Sequence, residues 1–233
     1  MGRLARQRLA SLRTRIKFCG LVRPDDVDTA VALGVDAEGF VFYPKSPRFL
    51  TPAAASELRR RLPSWVTAVG LVVNETADAV RRLHADVGLD VVQFHGDERP
   101  ELCADAAGDI PWWRAVRMRA PGDLLESSES YRGAEALLVD SFHAGYGGSG
   151  KSFDWSLLPA ERATPLILSG GLDPTSVGLA IAQVVPFAVD VSSGIQGADP
   201  RTKDRNLMER FAAAVMAADA QRTAQFQLNH PIP

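Results

Sequence analysis

Two groups able to move protons sit at the ends of apolar runs. Cys19 closes Ile16-Lys17-Phe18 and is followed by Gly20, and Asp140 closes Ala136-Leu137-Leu138-Val139. A thiol in such a place is either a small buried hydrophobe or, with positive dipoles beside it, a base or nucleophile of lowered pKa. A carboxyl group there is either a cap or an acid held partly out of water, where desolvation lifts its pKa into a useful range. The run ending Gln93-Phe94-His95-Gly96 adds a histidine that is either structural or a substrate contact. His84, His143 and His230 share no metal-ligand spacing with it, so no metal is expected. In Pro44-Lys45-Ser46-Pro47-Arg48 the prolines stiffen a loop. Arg48 is then either a solvated surface charge or a fork for a planar carboxylate. Cys103 lies within a helical pattern and reads as packing.

Two later runs end in glycine–serine turns. They are Leu166-Ile167-Leu168-Ser169-Gly170-Gly171-Leu172 and Phe187-Ala188-Val189-Asp190-Val191-Ser192-Ser193-Gly194. Glycine lets a backbone approach a ligand, and bare N–H groups at a turn or helix start bind phosphate oxygens. Two successive strands ending this way fit the phosphate site that (β/α)8 barrels build after their seventh and eighth strands. The expected ligand is a phosphorylated small molecule.

Such groups act together only on a scaffold that gathers strand ends. Strand-like runs at 16–19, 37–43, 66–73, 90–94, 112–117, 136–140, 165–168 and 187–191 alternate with helical stretches. The helices are expected at 24–33, 52–62, 75–87, 98–107, 121–131, 154–158, 174–184 and 204–219. That alternation argues for α/β class with a parallel sheet. Eight units give a single-domain (β/α)8 TIM barrel, with an open doubly wound sheet as the alternative. Thr51-Pro52 and Asp173-Pro174 read as caps before a first-turn proline, and Asn74 as the cap before Glu75. On the last helix Leu207, Phe211 and Val215 share a stripe. The expected boundaries are a basic extension over 1–15, a catalytic barrel over 16–220 and a tail over 221–233 that frays from Gln225. Glu38 falls inside the second strand, where burial would demand a partner.

Composition narrows the classes. The chain has 233 residues, 46% hydrophobic and 23% charged, which suits one domain with a large core. No apolar run approaches the roughly 18 residues of a membrane span. A net charge of −2 gives no reason to expect nucleic acid. The first 17 residues hold Arg3, Arg6, Arg8, Arg13, Arg15 and Lys17 and no acid. They read as a solvated extension or an arginine-rich targeting peptide. Two cysteines make no disulfide framework, and a cytoplasmic location follows as the expectation. Gly145–Ser152 matches the Walker A pattern, but no long helix follows before Pro159. A glycine-rich loop over a site is the better reading than an ATPase.

In their order and spacing these blocks resemble the phosphoribosylanthranilate isomerase family. The resemblance runs from about residue 16 to 218, through Lys17-Phe18-Cys19-Gly20, Gly39–Arg48, Val92–Gly96, Leu138-Val139-Asp140, Tyr146–Trp155, Ser169–Leu172 and Asp190–Gly194. It implies an Amadori rearrangement of an aminoaldose phosphate in tryptophan biosynthesis, with no cofactor. It assigns Asp140 as general acid and Cys19 as general base, and Arg48 to the anthranilate carboxylate. Gln93, His95 and Asp190 count with the substrate-binding residues. Gly170, Gly171, Ser192, Ser193 and Gly194 would hold the phosphate. For those states the site must raise the carboxyl pKa and lower that of the thiol, so apolar walls around Asp140 and backbone N–H groups near Cys19 are expected. Gln196 stands where the family often has Glu, and the basic arm is extra. The family implies a monomer or homodimer with a small-molecule substrate. A phosphosugar-binding barrel without catalysis, and a dual-substrate barrel with two aspartates, are the neighbouring alternatives; Cys19 weighs against both.

Overall fold

Apolar side chains that alternate between two buried faces build the strands, and a computed structural model describing residues 13–141 and 153–229 shows how they close. The strands are β1 (Arg15–Cys19), β2 (Ala37–Val41), β3 (Thr67–Val72), β4 (Val91–Phe94), β5 (Trp112–Met118), β6 (Ala136–Ser141), β7 (Leu166–Leu168) and β8 (Ala188–Val191). Each pairs in parallel with the next, and β8 returns to β1 with Ala188 opposite Arg15. The sheet is therefore a closed barrel, and the open-sheet alternative falls away. The helices are α1 (Pro24–Ala32), α2 (Pro52–Arg59), α3 (Ala77–Val87), α4 (Pro100–Ala107), α5 (Asp123–Ser130), α6 (Val177–Val184) and α7 (Arg205–Asn229). Residues 1–12 of the basic arm, His143, the Walker-like loop through Ser152, and His230 lie outside the described residues.

The outward strand faces meet the helices. Phe18, Phe40, Phe94, Leu137 and Leu168 are buried there, and Phe18 meets Phe211 of α7 edge-on at 5.9 Å. Full burial of each such side chain contributes roughly 1.5–3 kcal/mol. Inside the barrel, Ala37, Val69 and Val91 gather on one side of Trp113, and Ala115, Ala136, Leu138, Ile167 and Ala188 on the other. Strand side chains alternate, so the residues two further along the same faces form the next inward layer. That layer is polar: Gln93 follows Val91, Asp140 follows Leu138, and Asp190 follows Ala188. The apolar plug thus becomes the floor of a polar cavity.

Several expected details are corrected. α3 is capped by Thr76, whose Oγ1 accepts from the Ala79 N–H at 3.2 Å. Asn74 instead takes a positive φ of 55° and accepts from the Asp97 N–H at 2.7 Å. α6 starts at Val177 and not at Pro174, because the Asp173 carboxylate draws the N–H groups of Thr175 and Ser176 into a turn. Only a 3-10 turn, Trp155–Leu157, stands where a helix over 154–158 was expected. The tail expected from residue 221 is helical: α7 runs unbroken to Asn229, since neither Gly nor Pro interrupts it. Arg13–Arg15, the described end of the expected extension, is tied to the barrel. Arg13 pairs with Asp36 at 2.6 Å, and Thr14 bonds Asp219 of α7 through both its N–H and its hydroxyl. Glu38 is fully buried on the helix-facing side of β2, and neither carboxylate oxygen has a hydrogen-bond partner among the described residues. Burial, with Asp28 nearby, pushes its pKa up to about 9, so it is held as the neutral acid.

Candidate active site

The polar layer opens at the C-terminal ends of the strands into a cavity with about 720 Å³ of free space, including its mouth. That volume suits a small phosphorylated ligand. Cys19 from β1, Gln93 from β4, Asp140 from β6 and Asp190 from β8 all line it, with His95, Arg48, Gly170, Gly171, Ser192 and Ser193. Val41, Leu71 and Val73 supply an apolar wall on the side of β2 and β3. Gly194 lies just behind this lining. A side chain there would come within 1.9 Å of the Leu172 carbonyl oxygen, so the turns after β7 and β8 touch through bare backbone. Gly170 and Gly171 both hold positive φ, 84° and 69°, a conformation that favours glycine.

Cys19 is buried, and its surroundings differ from the expectation. Ammonium groups, not backbone N–H groups, supply the positive charge: Lys17 from β1 and Lys203 from the segment before α7. Burial still dominates and pushes the thiol above its ordinary value, with Asp190 adding to that and the two lysines opposing it. With these charges alone around it the thiol therefore keeps its proton. Lys203 donates to the Cys19 carbonyl at 2.7 Å and to the Ser192 carbonyl at 2.9 Å, and burial lowers its pKa to about 7. Ser192 Oγ donates to the same Cys19 carbonyl at 2.9 Å. The lip of β1 and the turn after β8 are thus fastened together. Asp190 has oxygens on Lys17 Nζ at 2.8 Å and on Ser169 Oγ at 3.3 Å.

Asp140 is buried in this partly apolar cavity and also meets polar groups. Its Oδ1 accepts from the Ser141 N–H at 2.8 Å, and its Oδ2 lies 3.5 Å from His95 Nε2. His95 Nδ1 in turn lies 2.9 Å from Gln93 Nε2. That contact makes the Gln93 amide the donor and turns the Nε2 edge of His95 toward Asp140. The Gln93 Oε1 atom is buried without a partner among the described residues, a free acceptor on the cavity wall. Arg48 is half-buried, its stem lying over Gly20, where a side chain would come within 2.4 Å of Arg48 Cδ. Its Nη2 donates to Gln196 Oε1, and Nε has no partner among the described residues. Burial lowers its pKa.

Every site residue named from the sequence comes to this one cavity or its backing. Sequence reasoning missed Lys17 and Lys203. The first left a signal, since Lys17 stands two residues before Cys19 and shares its strand face. Lys203 left none, because its acceptors, the Cys19 and Ser192 carbonyls and the Ser192 hydroxyl, come together only where β1 meets β8.

The family model for N-(5'-phosphoribosyl)anthranilate (PRA) isomerase matches residues 16–214. An N-(5'-phosphoribosyl)anthranilate isomerase of Ralstonia nicotianae is 50% identical over 226 residues, covering 92% of this chain and 98% of that protein. The crystal structure of phosphoribosyl anthranilate isomerase from Thermotoga maritima superposes with a TM-score of 0.81 at 42% identity, covering 88% of this chain and 99% of that one. A second solved structure, of a phosphoribosyl anthranilate isomerase in complex with reduced 1-(o-carboxyphenylamino)-1-deoxyribulose 5-phosphate, gives a TM-score of 0.75 at 36% identity, with 88% and 99% covered. The barrel, the cavity at its strand ends and these matches together place the chain in the phosphoribosylanthranilate isomerase family.

Proposed function

We propose that this chain converts N-(5-phosphoribosyl)anthranilate to 1-(2-carboxyphenylamino)-1-deoxyribulose 5-phosphate, the Amadori step of tryptophan biosynthesis, by general acid–base catalysis. The observation that carries the reading is that Cys19 and Asp140 face one cavity from β1 and β6, three strands apart around the closed barrel. Asp140 gives its proton to the furanose oxygen, the C1′–O bond breaks toward that oxygen, and the nitrogen lone pair forms the iminium. Cys19, as thiolate, removes the C2′ proton; the C2′–H electrons become the C1′=C2′ bond and neutralise the nitrogen. The enolamine then gains a proton at C1′ and loses that of the 2′-hydroxyl, leaving the ketone. Each step is a proton transfer, so the chemistry needs no nicotinamide, ATP or metal.

The iminium explains how a buried thiol can ionise in the working complex. It puts a full positive charge beside the sulfur, which favours the thiolate just when the base is needed. Arg48 faces the substrate carboxylate with the aromatic ring along Val41 and Leu71. The backbone of Gly170, Gly171, Ser193 and Gly194 takes the phosphate. Gln93, through its free oxygen, and His95 hold the ribosyl hydroxyls. On this reading the enzyme works in the cytoplasm as a monomer or homodimer, away from nucleic acid and membrane. Substrate fluorescence decay with purified protein and no added cofactor tests it. Cys19→Ser and Asp140→Asn should each lower kcat by roughly 10²–10⁴-fold while leaving product-analogue binding nearly intact. Near-normal turnover in either variant removes that residue from the mechanism.

A further inference from the structure

We infer that Lys17 is the positioning residue that sets the ionisation of Cys19: its buried ammonium, held by Asp190 beside the sulfur, is the charge against which the thiolate forms. This rests on the reading of Cys19 as the base. Lys17 and Cys19 are two apart on β1 and project to the same side. Opposite them on β2 stands Gly39. A side chain at Gly39 would lie 2.9 Å from Cys19 Sγ and 3.2 Å from Lys17 Cε, so the sulfur and the lysine stem converge on the space that glycine leaves. Lys17 Nζ donates to Asp190 Oδ1 at 2.8 Å, both side chains being almost wholly buried. Held there, the ammonium lies close enough to the sulfur to favour its thiolate.

A buried ion pair costs desolvation that its own attraction scarcely recovers, so it is weak evidence for a purely stabilising role. Here the pair stands beside the reacting atom. The other charged groups around the sulfur, Lys203 included, act on it only through space, because their hydrogen bonds go to other partners. Lys203 donates to the carbonyls of Cys19 and Ser192, Arg48 donates to Gln196, and Asp140 stands with His95 in the same cavity. Among the described residues Asp190 is the adjacent anion that opposes ionisation directly. When the S–H bond breaks, the proton leaves to solvent through the open mouth, and the electron pair stays on a sulfur with the ammonium beside it. The thiolate then takes the C2′ proton and returns to thiol. Lys17 itself exchanges no proton with the substrate.

The test is the pH dependence of iodoacetamide alkylation at Cys19, measured without substrate in a Cys103→Ala background. Lys17→Met should move the alkylation midpoint up by one pH unit or more, seen as at least a tenfold slower rate at neutral pH. Asp190→Asn, which removes the opposing anion but keeps Lys17, should move it down. Its kinetic counterpart is a kcat loss in Lys17→Met that narrows as pH rises, with little change in KM. Should Lys17→Met fail to fold for want of a partner for Asp190, the Lys17→Met/Asp190→Asn double variant leaves no buried charge unpaired. Its midpoint should still lie above that of the parent. Unchanged midpoints, or shifts of the same sign in both single variants, overturn the inference. Because alkylation is read without substrate, retained turnover in Cys19→Ser would sink the catalytic reading while leaving this result standing.

Discussion

Glu38 offers a stability measurement whose size follows from its burial. Its side chain is fully enclosed, without a hydrogen-bond partner among the described residues, and its pKa rises from 4.5 to about 9. In the unfolded chain the same group ionises near its ordinary value. The folded protein therefore binds a proton that the unfolded chain releases. The stability this lends is complete below the unfolded pKa and drains away as pH climbs toward the folded one. Each pH unit within that window is worth about 1.4 kcal/mol. Between about pH 5 and pH 7 the group should cost the native state roughly 2–3 kcal/mol. Glu38→Gln keeps the shape and removes the titration. Lys203, with a folded pKa of about 7, exerts its opposite effect mainly above that pH and is common to both proteins. Urea unfolding at the two pH values should show the parent losing stability that the variant keeps. Parallel losses in both proteins would refute the buried, neutral carboxyl group.

The remaining predictions concern the rim. Arg48→Ala should raise KM for the carboxylated substrate by roughly tenfold or more, as expected for losing a charge-assisted fork, with a smaller effect on kcat; steady-state kinetics that leave both constants unchanged would dismiss that role. Gln196→Glu should also raise KM, because a carboxylate on Arg48 Nη2 competes with the substrate for the guanidinium, whereas the amide orients it and leaves its charge free. The increase should shrink as pH falls and the new carboxyl group protonates.

The strands were legible because their apolar runs are bounded by turns, and Cys19 and Asp140 because each closes such a run. Other features could not be read that way. The proton balance of Cys19 depends on Lys203 and Asp190, residues more than 170 positions away, and on a burial that only the closed barrel creates. That is why a lowered thiol pKa was expected and a raised one was found. Asn74 looked like a cap by type, but Thr76 holds the extended backbone a cap requires, and Asn74 bridges to Asp97. The end of α7 was misplaced because the stripe of large apolar residues stops at Val215, while the helix itself continues through small and polar helix formers. Gln196 was visible only as an unusual residue; its meeting with Arg48 links two loops nearly 150 positions apart.

A cylinder made from one chain needs a seam, and here the seam runs between β1 and β8. The chemistry straddles it: the ammonium of Lys17 and the carboxylate of Asp190 belong to opposite margins, as do the Cys19 carbonyl and the Ser192 hydroxyl that meets it. Joining those margins requires the greatest loop closure in the sheet, which places it among the slower events of folding. A chain still open there carries every strand but has no assembled catalyst. Regained turnover after dilution from denaturant thus times the moment the two margins zip together.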